Sequence, residues 1–346
     1  MHSHVLEVTG LSVDYRDGRR AVRAVSDVSF AIGAGQTLGL VGESGSGKTT
    51  IGRAILGLVP AAAGRMAFNG DDITSAGLRQ RRGNPGQIRA VFQDPYSSLN
   101  PALPIAASLL ESLPGRRLHR GQAQRQLSQL MQKVGLDPAL AAHYPGRLSG
   151  GQRQRVAIAR ALISDPQLII CDEPVTALDV SIQAQILNLL RDLQHETGVS
   201  YLFISHDLDV VRYMADQIAV LYHGHLIETG PARAVAENPA HPYTQALVAA
   251  TPTLHPGADL PPSVAAGAPV PQVPRVVSDE SCGYAAQCPL VIDVCRAKRP
   301  HLRPTEGGAS VACHRRHEPG RRQPAAVLSA AGLDAVPREE SDRKST

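Results

Sequence analysis

Eight consecutive residues, Gly42-Glu43-Ser44-Gly45-Ser46-Gly47-Lys48-Thr49, have the types and spacing of a phosphate-binding loop, G-x-x-x-x-G-K-[ST]. Glycines let backbone N–H groups close around phosphate oxygens, because no Cβ blocks the approach. Lys48 is then placed to reach the β- and γ-phosphates of a nucleoside triphosphate, and the Thr49 hydroxyl, with Thr50 beside it, lies where Mg²⁺ is held. Three further places supply matching chemistry. Asp172-Glu173 closes an apolar run: Asp172 suits Mg²⁺, and Glu173 suits the base that takes a proton from the water attacking the γ-phosphate. Gln93 ends another apolar run and either ligates Mg²⁺ or holds that water. His206 either senses the γ-phosphate or holds the water. Ser149-Gly150-Gly151-Gln152 opens a helical pattern with a good N-cap and two glycines, a second possible anion site. Tyr15 either stacks on an adenine ring or is a plain hairpin tyrosine.

The elements that must position these groups are legible from periodicity. Thr37–Val41 reads as a buried strand entering the loop, and Thr50–Leu58 as the helix leaving it. Residues 5–32 alternate apolar and polar side chains and read as antiparallel strands, with Tyr15 in the turn region between them. Arg89–Phe92, Gln167–Glu173 and Ser200–Ile204 are apolar enough to be strands buried on both faces of a parallel sheet. A glutamine or a carboxylate at the C-terminal end of such a strand faces the ligand crevice. Residues 101–147 carry helical patterns without strand patterns, so they read as a helical insertion into the sheet. Ile182, Ile186, Leu189, Leu190 and Leu193 mark one helix face. Strands follow around Ile218–Tyr222 and Leu226–Glu228, and His241-Pro242-Tyr243 opens a helix through Ala250.

The chain has 346 residues, 35 basic against 31 acidic, and a formal charge of +4. That near balance gives no electrostatic case for nucleic acid binding. No apolar run reaches the ~18 residues of a membrane span, and the N-terminus lacks the pattern of a secretory signal. Proline-rich residues 252–276 read as an extended linker. Cys282, Cys288, Cys295 and Cys313 then follow, with 5, 6 and 17 residues between successive members. Four thiols in a segment poor in apolar residues suggest that a metal supplies folding energy. The gaps are wider than the tight pairs of most zinc sites. A [4Fe–4S] cluster, zinc, and free thiols or late disulfides all stay open on spacing alone.

Taken together, these residues resemble an ABC-transporter ATP-binding subunit. Gly42–Thr50 match Walker A, Gln93 the Q-loop, Leu148–Gln152 the LSGGQ signature, and Ile169–Glu173 Walker B with its adjacent glutamate. Ala177–Asp179 match the D-loop and His206 the H-loop. Phe92–Pro101, Leu178–Gln185 and His241–Thr244 are similar to the oligopeptide/dipeptide and nickel importers in particular. Tyr96-Ser97-Ser98 and Val180-Ser181 resemble the F-type of two paired ATPases. The resemblance spans residues 5–315.

It implies an α/β fold: an ABC-type P-loop ATPase core, with a parallel sheet, flanking helices and an antiparallel β subdomain, plus an inserted helical subdomain and a small Cys-containing extension. The implied division is 1–100 (first part of the core), 101–165 (helical subdomain), 166–251 (second part of the core), 252–317 (extension) and 318–346 (a mobile tail). It implies ATP and Mg²⁺ as ligands, the metal held by Thr49, Gln93 and Asp172. It makes Tyr15 an adenine-stacking residue, and it favours a [4Fe–4S] cluster on Cys282, Cys288, Cys295 and Cys313, with Zn²⁺ as the alternative. The implied partners are a second ATP-binding subunit, two transmembrane permease subunits and an extracytoplasmic substrate-binding protein, with no nucleic acid. Each ATP would lie between one subunit's Walker A and the other's Ser149–Gln152, with Asp179 beside the interface. The implied place is the cytoplasmic face of the membrane, and the implied work is ATP-driven peptide import. Nickel or another small solute is the alternative cargo. A non-transport ABC ATPase is the alternative class, set aside because the chain has one Walker A, one signature and no sustained heptads.

Overall fold

In a computed structural model of the chain, residues 4–18, 20–75, 87–94, 99–112, 120–250 and 280–315 are described. The alternating N-terminal segment forms β1 (His4–Asp17) and β2 (Arg20–Gly33), paired antiparallel. β4 (Ala63–Phe68) lies on the other side of β1, and the two-residue β5 (Asp71–Asp72) completes the order β2-β1-β4-β5. Leu6, Val8, Leu11, Val13, Val25 and Val28 point inward from this sheet, as the period of two requires.

The second sheet carries the Gly42–Thr49 loop at the end of one of its strands. Its order is β11 (Arg303–Pro304), β12 (Ser310–Val311), β10 (His225–Pro231), β9 (Gln217–Tyr222), β3 (Thr37–Val41), β8 (Ser200–Ser205), β7 (Leu168–Asp172), β6 (Ile88–Val91). β3, β6, β7, β8 and β9 run parallel through their pairings, whereas β10 returns antiparallel to β9. Both faces are covered. Leu38, Leu40, Ile170, Leu202 and Ile204 pack with the first sheet and with Ile51, Ala54 and Ile55 of helix α1 (Lys48–Ile55). Their neighbours Val41, Ile169, Cys171, Tyr201 and Phe203 pack into a second core on the opposite face. That is why these strands read as continuous apolar runs.

The helical insertion contains α2 (Ile105–Leu110), α3 (Arg120–Lys133), two 3₁₀ turns and α4 (Gly150–Leu162). Leu109, Leu127, Met131, Val134 and Val156 join it to the second core. Beyond it come α5 (Val180–Thr197), α6 (Leu208–Met214), α7 (Ala232–Glu237) and α8 (Pro242–Ala250).

Three expectations change. Tyr15 stands in β1, opposite Val22, rather than in the turn. The loop helix begins at Lys48, two residues before the expected Thr50, because Gly47 caps it. The extension is less apolar-poor than its composition implied. Tyr284, Cys295, Ala309 and Val311 are buried, and β12 (Ser310–Val311) adds to β10, with β11 (Arg303–Pro304) outside it. The linker at 252–276 and the tail at 318–346 lie outside the described residues.

Candidate functional site: a nucleotide crevice at the strand ends

The loop leaves the C-terminal end of β3 and enters α1. Gly47 has φ +103°, and a Cβ there would stand 2.7 Å from the Ala24 carbonyl oxygen. Gly42 has φ +154°, and its Cβ would stand 2.2 Å from the Leu221 carbonyl oxygen. Both positions therefore demand glycine by conformation and by space. The Lys48 side chain curls back over the loop. Its ammonium donates to the Gly42 oxygen at 2.7 Å, the Glu43 oxygen at 2.8 Å and Ser46 Oγ at 3.4 Å. Burial pushes its pKa down, against the opposing pull of Glu173 and Asp172. A buried ammonium whose partners are neutral oxygens is a strong point for an anion.

Across the crevice, Thr49 Oγ1 donates to Asp172 Oδ1 at 3.0 Å. Burial raises the Asp172 pKa, and the Thr49 hydroxyl partly offsets that. Glu173 follows in a left-handed conformation, φ +49°, which turns its carboxylate out of the strand. That carboxylate is a meeting point. It accepts from Gln93 Nε2 at 3.1 Å and Thr176 Oγ1 at 3.2 Å, and His206 Nδ1 stands 3.3 Å from its other oxygen. β6, β7 and β8 thus deliver Gln93, Asp172–Glu173 and His206 to one edge, beside the loop from β3. A hydroxyl and a carboxylate this close are the hard oxygen donors Mg²⁺ prefers. Gln93 turns its amide nitrogen to Glu173, so the structure does not group its oxygen with that pair.

Tyr15 reaches the same crevice from the first sheet. Its ring is 37% exposed, and its hydroxyl is 3.4 Å from Thr50 Oγ1. Ser44 and Gly45 are exposed at the tip of the loop. The Ser149–Gln152 segment sits at the start of α4 as a capping box: Ser149 Oγ accepts from the Gln152 amide at 3.2 Å, and Gln152 Oε1 accepts from the Ser149 amide at 3.0 Å. Asp179 is the N-cap position of α5. Tyr96, Ser97 and Ser98 fall outside the described residues.

Sequence reasoning missed the tyrosines behind the loop. Tyr243 Oη accepts from the Glu43 amide at 3.0 Å, and its ring packs on Tyr222 and Tyr284. The only local signal was the His241-Pro242-Tyr243 helix start.

Cys282, Cys288, Cys295 and Cys313 line one small cavity of about 10 Å³, together with His241, Tyr284, His314 and Arg315. His314 is half-buried there. Burial raises the Cys282, Cys288 and Cys313 thiols, Cys313 to about 11, and the neighbouring thiols add to the effect. Four soft donors on one cavity match the chemistry of Fe–S or zinc ligands. Among the described residues no group of three or more His, Cys, Asp or Glu side chains is arranged to hold a metal ion. The expected [4Fe–4S] assignment is therefore unsupported by this arrangement.

Known proteins resemble the chain in both halves. Residues 25–176 match the model of the ABC transporter family, and residues 227–295 match that of the oligopeptide/dipeptide transporter C-terminal region. A Sinorhizobium fredii protein named a probable peptide ABC transporter ATP-binding protein is 47% identical over 298 residues, 85% of this chain and 82% of its own. A Brucella abortus protein named for peptide import and ATP binding is 44% identical over 86% of this chain and 88% of its own. Among solved structures, CbiO1 of Clostridium perfringens, part of the cbiONQ ABC transporter complex, aligns with TM-score 0.62 at 25% identity, over 68% of this chain and 92% of that one. A dimeric ATP-binding cassette with ADP and Pi aligns with TM-score 0.59 at 28% identity, over 66% and 99%.

Proposed function

This chain belongs to the ATP-binding subunits of ABC transporters, and from that premise we propose that it is the F-type motor of a paired peptide-importer ATPase. It hydrolyses ATP to drive uptake of oligopeptides or dipeptides through membrane permease subunits. The observation that carries the reading is the convergence of Lys48, Thr49, Asp172 and Glu173 at one sheet edge, in a chain whose residues 227–295 match the oligopeptide/dipeptide transporter region.

In this reading Lys48 and the loop amides grip the β- and γ-phosphates, and Tyr15 stacks on adenine. Thr49 and Asp172 would hold Mg²⁺, which would neutralise phosphate charge. Glu173 accepts the proton of the attacking water while the bond from the γ-phosphorus to the leaving oxygen of ADP breaks. Gln93, Thr176 and His206 hold the Glu173 carboxylate in place for that step. Ser149, Gly150, Gly151 and Gln152 serve the ATP of a second, paired subunit, with Asp179 at the interface. ATP that binds the closed pair favours closure by mass action, and hydrolysis releases it.

No described helix is long and apolar enough to cross a membrane, so the permeases supply the path. An extracytoplasmic binding protein supplies cargo selection, and this subunit sits peripherally on the cytoplasmic face. We divide the chain as 1–100 and 166–251 for the core, 101–165 for the helical subdomain, 252–317 for the extension and 318–346 for the tail. We also assign a metal to the four extension thiols, [4Fe–4S] or Zn²⁺, on donor chemistry alone. Anaerobic purification with iron, sulfide and zinc analysis decides that assignment. Metal-free protein would remove it.

The transport reading is tested with the paired ATPase, permeases and binding protein in vesicles. Peptides should stimulate hydrolysis and accumulate, and Lys48→Ala should abolish both. Stimulation by Ni²⁺ but not by peptides would transfer the cargo to the metal.

A further inference from the structure

The Gly42–Glu43 peptide unit is held at both ends. Its carbonyl accepts from Lys48 Nζ at 2.7 Å, and its N–H donates to Tyr243 Oη at 3.0 Å. A peptide unit is planar and rigid, so one end cannot turn without the other. Tyr243 is 3% exposed and wedged among aromatic rings. Its centroid lies 4.6 Å from Tyr222 and 5.6 Å from Tyr284, and Tyr222 and Tyr284 meet edge-on at 5.4 Å. Tyr222 ends β9, and two residues later the Gly224 amide donates to the Ser46 carbonyl at 2.9 Å. The tyrosine triangle thus backs the loop at Glu43, and the turn that follows Tyr222 holds it at Ser46. Its third corner, Tyr284, comes from the extension and lines the thiol cavity.

We propose that Tyr243 is a positioning residue for Lys48, acting through the Gly42–Glu43 peptide plane, and that Tyr284 holds Tyr243 in place for this. The C-terminal extension thereby helps to set nucleotide affinity. The inference rests on the ATP reading of the loop and adds two residues that stand behind the loop, 200 and 241 positions downstream of Glu43 in sequence.

The test uses the full chain and ATP itself. Tyr243→Phe keeps the ring and removes the acceptor. It should weaken ATP binding about 3- to 10-fold, the range of one hydrogen bond, raise KM alike, and leave kcat within about twofold. Hydrogen exchange at the Glu43 amide should quicken. Tyr284→Ala should shift affinity and exchange in the same direction, and Tyr284→Phe should restore both, because the ring does the packing. Unchanged affinity and unchanged Glu43 exchange in Tyr243→Phe would overturn the proposal. The same result in a well-folded Tyr284→Ala variant would overturn the role of the extension. Should the parent chain bind no ATP, the loop reading itself falls. Normal parent binding with a silent Tyr243→Phe sinks this inference alone.

Discussion

The Thr49 hydroxyl donates to Asp172 Oδ1 at 3.0 Å across 123 residues of chain. One residue belongs to the loop helix and the other ends β7, two strands away through β8. Their contact sets a hydroxyl and a carboxylate side by side next to the loop. Burial raises the Asp172 pKa, and the hydrogen bond from Thr49 partly offsets that rise. Asp172→Asn keeps the shape and removes the charge. Mg²⁺-dependent ATP hydrolysis should fall at least about 100-fold, and Mg²⁺ should no longer strengthen nucleotide binding. Titration calorimetry with and without Mg²⁺ checks both effects.

Glu173 receives Gln93 Nε2, Thr176 Oγ1 and His206 Nδ1 around one carboxylate. Glu173→Gln preserves size but cannot take a proton. Hydrolysis should drop by about 10²- to 10⁴-fold, while ATP binding stays near that of the parent chain. Because hydrolysis no longer resets the closed state, ATP should hold the paired subunits together on gel filtration. An ATP-insensitive elution profile alongside unchanged turnover would remove Glu173 from its role.

Tyr15 presents a 37% exposed ring beside Thr50. Stacking on a base is worth roughly 1–3 kcal/mol. Tyr15→Ala should therefore weaken ATP binding about 5- to 160-fold, and Tyr15→Phe should leave it nearly unaltered, since the ring face makes the contact. Equal affinities for the parent and alanine variants in a fluorescent-nucleotide assay would return Tyr15 to a plain strand residue.

His241 is 2% exposed, and its Nδ1 accepts from the Tyr243 amide at 3.0 Å, which fixes the neutral ring. Glu228, Tyr284 and Tyr243 face this region, and burial lowers the His241 pKa to about 4. The unfolded chain titrates near 6.5, so between about 6.5 and 4 it binds the proton that the folded chain refuses. Stability should be full above about pH 6.5 and should decline as pH falls through that window, by up to roughly 3 kcal/mol. Urea melts from pH 7.5 to 4.5 measure the slope. A His241→Gln variant should flatten it, and an unchanged slope would assign the acid sensitivity to other groups.

The extension shows where local reading stopped. Its cysteines were visible as a spacing, but their common cavity with Tyr284 and His241 required the folded chain. Nothing in residues 303–311 marks a strand, because two-residue strands carry no period. They exist only because β10 offers an edge, where Val311 pairs with Glu228. Asp17-Gly18 is a turn signal close to Tyr15, yet the strand runs on to Asp17 before it reverses.

What the sequence determined by itself was local. Gly42 to Thr49, framed by a strand and a helix, is decided by backbone conformation and hydrophobic period over a dozen residues. So is the capping box at Ser149. The tertiary structure alone decided neighbours: β3 between β9 and β8, β7 beside β8, and the Tyr243 hydroxyl on the Glu43 amide 200 residues away. Strand order and ring packing are set by how two cores fill and by which edges remain to be paired. Those energies belong to the whole chain, and no short window carries them.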